Sequence, residues 1–198
     1  MVSKPLGSLP ARRRALRCRI EVAGATRARD NARMSRELFR FESAASVAAW
    51  SAIDDAVMGG VSRSRLRHDP AGHAVFEGTV SLERNGGFAS VRSRPLDLAA
   101  AGALAWLLEV RGDGKRYKLN LRTDDAFDGV NHQAAFEAPA NAWTVVRLPL
   151  SAFRPSFRGR VVPGAPPLDP ARVRQIGLMI ADRQAGPFAL AVRSIRAE

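Results

Sequence analysis

Apolar and polar positions alternate along most of this chain with a period of two. Leu104, Trp106, Leu108 and Val110 alternate with Ala105, Leu107, Glu109 and Arg111, and Tyr117, Leu119 and Leu121 with Lys118, Asn120 and Arg122. Phe76, Gly78, Val80 and Leu82 alternate with Glu77, Thr79 and Ser81, and Phe188, Leu190 and Val192 with Ala189, Ala191 and Arg193. That period puts one set of side chains on each face of a half-buried strand. Further strands are expected at 38–42, 61–67, 87–93, 132–138, 142–149 and 174–181. Helical period is scarce, with one short helix expected at 44–50 and a turn at 169–173.

The turn residues agree. Asn85-Gly86-Gly87 and Asp113-Gly114 each separate two alternating runs, and both read as hairpin turns that need positive φ. The segment Pro163–Pro170, PGAPPLDP, reads as a loop crossing the end of the domain, because proline cannot donate to an inner ladder. Roughly ten short strands without crossover helices indicate an all-β, antiparallel β-sandwich.

The first segment breaks this pattern. Residues 1–33 carry nine Lys/Arg against Glu21 and Asp30, so +7 of the net +12 charge sits in a sixth of the chain. A basic, disordered extension is therefore expected over 1–36, with the folded domain at 37–198. Three origins fit the extension: translation upstream of a start at Met34, a native tail, or an Arg-rich mitochondrial transit peptide. The expected location is bacterial-type cytoplasm, with mitochondria as the alternative if 1–33 is a transit peptide. Arginine far outnumbers lysine, whose only positions are Lys4, Lys115 and Lys118, but no aromatic-studded basic strand or zinc-finger spacing accompanies it. That argues against nucleic acid. The longest apolar run, Leu98–Leu108, has eleven residues, short of the ~20 needed to span a membrane. Cys18, the single cysteine, excludes an intramolecular disulfide and any multi-cysteine metal site.

No catalytic constellation assembles from the sequence. Phosphate-loop, zinc-protease, nucleophile-elbow and paired-cysteine motifs are absent. Gly112-Asp113-Gly114 precedes a strand and not a helix, so it reads as a turn and not as a dinucleotide loop. His68 and His73 read as solvated loop residues, and His132 as a surface residue opening a strand. Asp124, Asp125 and Asp128 before Gly129 partly mimic a calcium loop, but Ala126 and Ala135 stand where ligands belong. They read as a solvated acidic loop. Asp54 and Asp55 suit either acid–base work or the pinning of a turn through carboxylate hydrogen bonds. Trp50, Trp106 and Trp143 are expected in the core. No metal and no cofactor is expected.

Several ordered blocks carry a resemblance. They are Trp50 with Asp54-Asp55-Ala-Val-Met58-Gly59-Gly60-Val-Ser62, Phe76-Glu-Gly78, Asn85-Gly86-Gly87-Phe88, Arg111-Gly112-Asp113-Gly114 with Tyr117, Trp143 with Leu148-Pro149, Phe153–Arg160, and Ile176–Phe188. Together they resemble the CIA30 family, the complex I intermediate-associated protein 30 domain, over residues 38–197. The resemblance implies a galactose-binding-like jelly roll, and a chaperone role in assembly of respiratory complex I (NADH:ubiquinone oxidoreductase) among mitochondrial members. It implies no catalytic residue, and complex I subunits or assembly intermediates as partners. The fold is shared with carbohydrate-binding modules, which supplies the alternative of a glycan- or small-ligand-binding module.

Both readings describe binding and not catalysis, so the expected site is a rim of loops on a rigid sandwich. The Asp54–Ser62 and Asp182–Phe188 loops are its first candidates, beside the polar row Lys118, Asn120 and Arg122. The candidate surface is therefore Asp54, Asp55, Met58, Lys118, Asn120, Arg122, Asp182 and Gln184. Gly59, Gly60, Gly86, Gly87, Gly112, Gly114 and Gly186 are expected to be structural turn residues. A pocket of convergent polar groups above the row favours a small ligand, whereas a flat apolar face favours a protein partner.

Overall fold

The computed structural model of the chain describes Met1 and residues 35–198, with Val57 described by its backbone alone. The expectations for the 1–33 segment, and Cys18 with them, lie outside the described residues.

Among those residues the strands are β1 (Arg36–Arg40), β2 (Trp50–Ala52), β3 (Arg63–Asp69), β4 (His73–Val80), β5 (Ala89–Ser93), β6 (Ala105–Arg111) and β7 (Arg116–Arg122). They continue with β8 (Asn131–Glu137), β9 (Thr144–Pro149), β10 (Arg154–Phe157), β11 (Arg160–Val161), β12 (Gln175–Ile180) and β13 (Gly186–Ala197). They form two sheets. One runs β3-β4-β13-β6-β9, with β1 beside the C-terminal half of β13; the other runs β11-β10-β8-β7-β12-β5-β2. The strand pairs are antiparallel in both. β13 is long enough to pair with β4 over Gly186–Val192 and with β1 over Ser194–Ala197.

The core lies between the sheets, where the apolar member of each alternating pair points inward. Trp106, Leu108 and Val110 of β6 and Phe188, Leu190 and Val192 of β13 meet Tyr117, Leu119 and Leu121 of β7 and Ile176, Leu178 and Ile180 of β12. Phe76 and Phe188 pack edge to face at 4.8 Å, with the Tyr117 ring 6.4 Å from each. Burial first, and then the Asp113 carboxylate, pushes the Tyr117 hydroxyl well above its ordinary value. The hydroxyl donates to Asp113 Oδ1 at 2.9 Å and stays neutral. The fold is the all-β antiparallel sandwich that the alternation predicts.

Three expectations about elements are corrected. Asn85-Gly86-Gly87 and Asp113-Gly114 are not hairpins: β4 and β5 lie in different sheets, as do β6 and β7. The turn chemistry holds, since Asn85, Gly87 and Gly114 have φ of 61°, 145° and 84°, but each turn carries the chain across the sandwich edge. The expected helix at 44–50 is a single 3-10 turn, Ala44–Val47, and then Trp50 enters β2. Strands β2, β10 and β11 have only two to four residues, too few to show a period.

The aromatic and imidazole positions also shift. His132 is buried, on the inward face of β8, with Nε2 3.1 Å from the Pro166 carbonyl oxygen of the crossing loop. His68 and His73 are strand residues and not loop residues, and His73 is buried edge to face against Trp143 at 5.3 Å. Burial holds the His73 imidazole below its ordinary value, although Asp69 opposes this. Trp50 and Trp106 are core residues. Trp143 is only half-buried and is flanked by the guanidinium groups of Arg193 (3.9 Å) and Arg111 (5.1 Å).

Candidate functional site: a polar cleft on one sheet

Asp54 and Asp55 leave β2 and enter the 3-10 turn Asp55–Met58, where the chain passes to the other sheet. Each carboxylate grips one serine of the next segment by both backbone and side chain. Asp54 accepts from Ser64 N (2.8 Å), Ser64 Oγ (2.6 Å) and Ser90 N (3.0 Å). Asp55, fully buried, accepts from Ser62 N (2.9 Å), Ser62 Oγ (2.6 Å) and Gly87 N (2.8 Å). The pair thus ties β3, in one sheet, to β5 and the Gly87 turn at the other. Burial pushes the Asp55 carboxyl up, but the donors from Ser62, Gly87 and Phe88 outweigh it and hold the group below the usual carboxylate range.

The glycines beside it explain their own presence. A Cβ on Gly60 would overlap the Asp55 carboxylate, and one on Gly86 would lie 2.7 Å from Asp55 Oδ2 and 2.7 Å from the Ser81 carbonyl oxygen. The motif Asp55…Gly59-Gly60…Gly86-Gly87 is therefore a cage around one buried anion. Gly59, Gly87, Gly114 and Gly186 have positive φ, and Gly112 lies against Ala138.

The outer face of the seven-stranded sheet is hollow. Loops rise on both sides of it and enclose a cleft of about 600 Å³. Antiparallel register sets Arg92 of β5, Gly177 of β12, Asn120 of β7 and Gln133 of β8 side by side across its floor. Met179 and Lys118 stand in the neighbouring row. The carboxamide nitrogens of Asn120 and Gln133 both lie 3.8 Å from Met179 Sδ, a weak acceptor. Lys118 Nζ is paired with Asp182 Oδ1 at 2.7 Å. Met58, Asn85, Phe127, Arg158 and Arg183 form parts of the wall.

One wall is the acidic loop between β7 and β8, and its carboxylates are already matched to arginines from three other places. Asp124 pairs with Arg122 at 2.7 Å, Asp125 with Arg174 at 2.8 Å and Asp128 with Arg158 at 2.7 Å. Arg92 completes the attachment through the Phe127 carbonyl oxygen at 3.0 Å, with its guanidinium 5.3 Å from the Phe127 ring. The loop is solvated, as its sequence suggests, with Asp124, Asp125 and Asp128 exposed, and it is also a wall of the cleft held by arginine. Among the described residues no three His, Cys, Asp or Glu side chains converge as a metal-binding group.

Of the eight residues expected at a binding surface, Met58, Lys118, Asn120, Arg122 and Asp182 line the cleft. Asp54 and Asp55 do not; they stand behind its wall as turn braces. Gln184 does not either, for its amide is spent on the backbone of Arg116 and Ala181. Arg92, Phe127, Asn131, Gln133, Gly177 and Met179 line the cleft and were missed by sequence reasoning. Arg92, Gln133 and Met179 are outward members of strands that the alternation finds. Only the strand order, which the sequence does not reveal, brings them beside Lys118 and Asn120.

The fold matches solved structures of a family 11 carbohydrate-binding module of a cellulosomal cellulase from Clostridium thermocellum. One has a TM-score of 0.61 at 16% identity and covers 82% of this chain and 93% of that one. Another, in complex with a β-1,3-1,4-mixed-linked tetrasaccharide, has a TM-score of 0.60 at 17% identity and covers 82% and 94%. Among sequences, the mitochondrial complex I intermediate-associated protein 30 of Drosophila melanogaster is 28% identical over 179 residues, 78% of this chain and 60% of that protein. The Mus musculus protein of the same name is 28% identical, over 80% of this chain and 54% of its own length. A protein of Schizosaccharomyces pombe is 30% identical, over 74% and 76%. This chain thus spans little more than half the length of its fly and mouse relatives. The family profile of complex I intermediate-associated protein 30 matches residues 39–192, nearly all of the sandwich described above, and the chain belongs to that family, CIA30.

Proposed function

We propose that this chain is a non-catalytic binding protein of the complex I assembly-factor type, and that it works through the cleft on the seven-stranded sheet. One observation carries the reading: the cleft gathers guanidinium and ammonium groups with carboxamides, two of which meet only the weak Met179 thioether, on a floor of paired strands whose register fixes their positions. The residues around it hold no nucleophile–base pair, and the buried carboxylate of Asp55, behind its wall, is consumed by the fold. The partners suggested by the relatives' names are intermediates of respiratory complex I. The word mitochondrial in the fly and mouse names supports mitochondria over bacterial-type cytoplasm as the place of action. No helix among the described residues is long and apolar enough to cross a membrane.

A second reading, a small-ligand module of the carbohydrate-binding kind, is favoured by the concavity of the face. A flat apolar face is what a protein partner alone would call for.

Filling the cleft tests the reading. Met179→Trp places a large side chain on the floor without touching the core, and Val145→Trp makes the same change on the other sheet, where Val145 is 52% exposed. Both variants are expected to keep the thermal midpoint of the parent. Only Met179→Trp is expected to lose capture of complex I subunits in a pull-down quantified by mass spectrometry. Loss in Val145→Trp with capture intact in Met179→Trp moves the working surface to the other sheet and overturns the proposal.

A further inference from the structure

The charges of the cleft do not balance. The Arg122 side chain lies in the floor, 3% exposed as a residue, with its two terminal nitrogens directed to Asp124 Oδ1 (2.7 Å) and the Gly129 carbonyl oxygen (3.4 Å). Its Nε has no hydrogen-bond partner, and neither has Asn120 Oδ1 or Asn131 Oδ1. Arg92 stands beside it and finds a carbonyl, not a carboxylate, among the described residues. Burial, then the neighbouring Arg122 charge, disfavours its protonated form relative to an ordinary arginine. Asp124 and Asp128 both favour the Arg92 charge from a distance, but Asp124 is paired with Arg122 and Asp128 with Arg158, so Arg92 has no carboxylate partner of its own among the described residues. On the rim Lys118 and Arg158 have acidic partners at 2.7 Å, and Arg183 has none among the described residues. Of these groups Arg122 is the buried one, and a like charge beside a buried cation is screened less than one in open water.

Gly177 leaves a gap between these groups. It sits between Arg92 and Asn120 in register, and a Cβ there would meet Val91 O at 3.0 Å and the Cβ atoms of Asn120 and Arg92 at 3.6 and 3.7 Å. A bare backbone at this point deepens the floor beside the unbalanced cations. Asn120 borders the gap, and the carboxamides of Asn85, Asn131 and Gln133 line the same cleft. Each offers a donor and an acceptor, the pattern that matches hydroxyl groups, which are both at once. Phe127, 70% exposed at the wall, offers a flat apolar face of the kind that stacks on the C–H face of a ring.

We infer that the cleft binds an anionic saccharide, a polyhydroxylated ring ligand bearing a carboxylate or a phosphate, with the anionic group beside Arg92 over Gly177 and the hydroxyls on the carboxamides. The assignment rests on the second reading above, of the cleft as a small-ligand site, and names the ligand. An anion there makes charge-assisted hydrogen bonds with Arg92 and relieves the repulsion from Arg122.

The test is calorimetric titration of the full chain with cellotetraose, its C6-carboxylate form, its C6-phosphate form and inorganic phosphate. At least one anionic saccharide is expected to bind ~10-fold or more tightly than cellotetraose, the size of one charge-assisted hydrogen bond. Which form wins separates carboxylate from phosphate. Arg92→Gln is expected to abolish the difference, and Arg147→Gln, on the other sheet, to keep it. The preference is also expected to fall as sodium chloride is raised. Equal binding of neutral and charged forms overturns the anionic assignment and leaves the cleft reading standing. So does a preference that survives in Arg92→Gln. Binding of inorganic phosphate as tight as that of the phosphorylated saccharide overturns the saccharide part. If no probe binds, the assignment fails altogether, while pull-down with Met179→Trp judges the cleft separately.

Discussion

A buried carboxylate surrounded by N–H and O–H donors has no acceptable substitute of the same shape. In Asp55→Asn one acceptor oxygen becomes an NH2 group facing donors from Ser62 and Gly87. The expected cost is about 3 kcal/mol, the scale of a buried, charge-assisted hydrogen bond left unmade, or roughly 6–12 °C in thermal midpoint for a chain of this size. The pH dependence has a fixed sign. The folded Asp55 carboxyl lies below its ordinary value, so the unfolded chain binds the proton more readily than the folded one. Its contribution is fully present above about pH 4, the unfolded value, and is lost as pH falls towards the depressed folded value. Guanidinium melts from pH 7 to pH 2.5 are expected to show this loss in the parent and a flatter profile in Asp55→Asn. A parent profile no steeper than that of the variant would mean that the donors do not favour the ionised form. The sequence shows the aspartates and glycines of this turn, but not that Gly60 and Gly86 are there to make room for Asp55. The Gly60 contact is local and depends on how the turn folds, and the Gly86 contact joins segments about 30 residues apart.

The wall formed by residues 123–130 is an element with hardly any backbone pairing of its own. It is held instead by Arg92, Arg122, Arg158 and Arg174. Two of these attachments, Arg158–Asp128 and Arg174–Asp125, are exposed pairs, and such pairs contribute ~0–1 kcal/mol each. The double change Arg158→Ala with Arg174→Ala is therefore expected to shift the thermal midpoint by no more than a few degrees. Its effect is local: amides of 124–129 are expected to exchange with deuterium several-fold faster, with the β7 and β12 amides unchanged. Uniform acceleration across the sheet would show that the loop supports the fold and not only the cleft. At this scale sequence reading divides cleanly. Strands of six or more residues, such as β4, β6, β7 and β12, carry their period in the chain. The short β2, β10 and β11 do not, and neither does the partner choice that turns Asn85-Gly86-Gly87 and Asp113-Gly114 from hairpins into crossings. Turn chemistry reports the local φ, whereas hairpin formation depends on which strand the next one meets.

The whole sandwich gathers its core between Phe41 and Ala197, and its first strand begins at Arg36. The alternation therefore contains all that is needed for the fold class, and the outward half of the same alternation supplies the cleft. The row Lys118, Asn120 and Arg122 is visible in the sequence because it lies on one strand. Its neighbour Gln133 lies on the next strand, whereas Arg92 and Gly177 belong to strands dozens of residues away, and register brings all of them together. A self-contained core also sets an expectation for residues 1–33, which have no sustained strand or helical period and carry +7 of the charge. A chain beginning at Met34 is expected to melt within ~2 °C of the full chain in scanning calorimetry, since a 1 kcal/mol loss would lower the midpoint by roughly 2–4 °C at this size. Its affinity for the ligand of the cleft is expected to be the same. Removal of the basic segment does lower the field around the molecule, so association with an anionic probe is expected to slow at low salt and to match the full chain at 0.5 M sodium chloride, where the screening length is ~4 Å. A midpoint lower by ~4 °C or more would instead show that the segment packs on the sandwich and adds to its core.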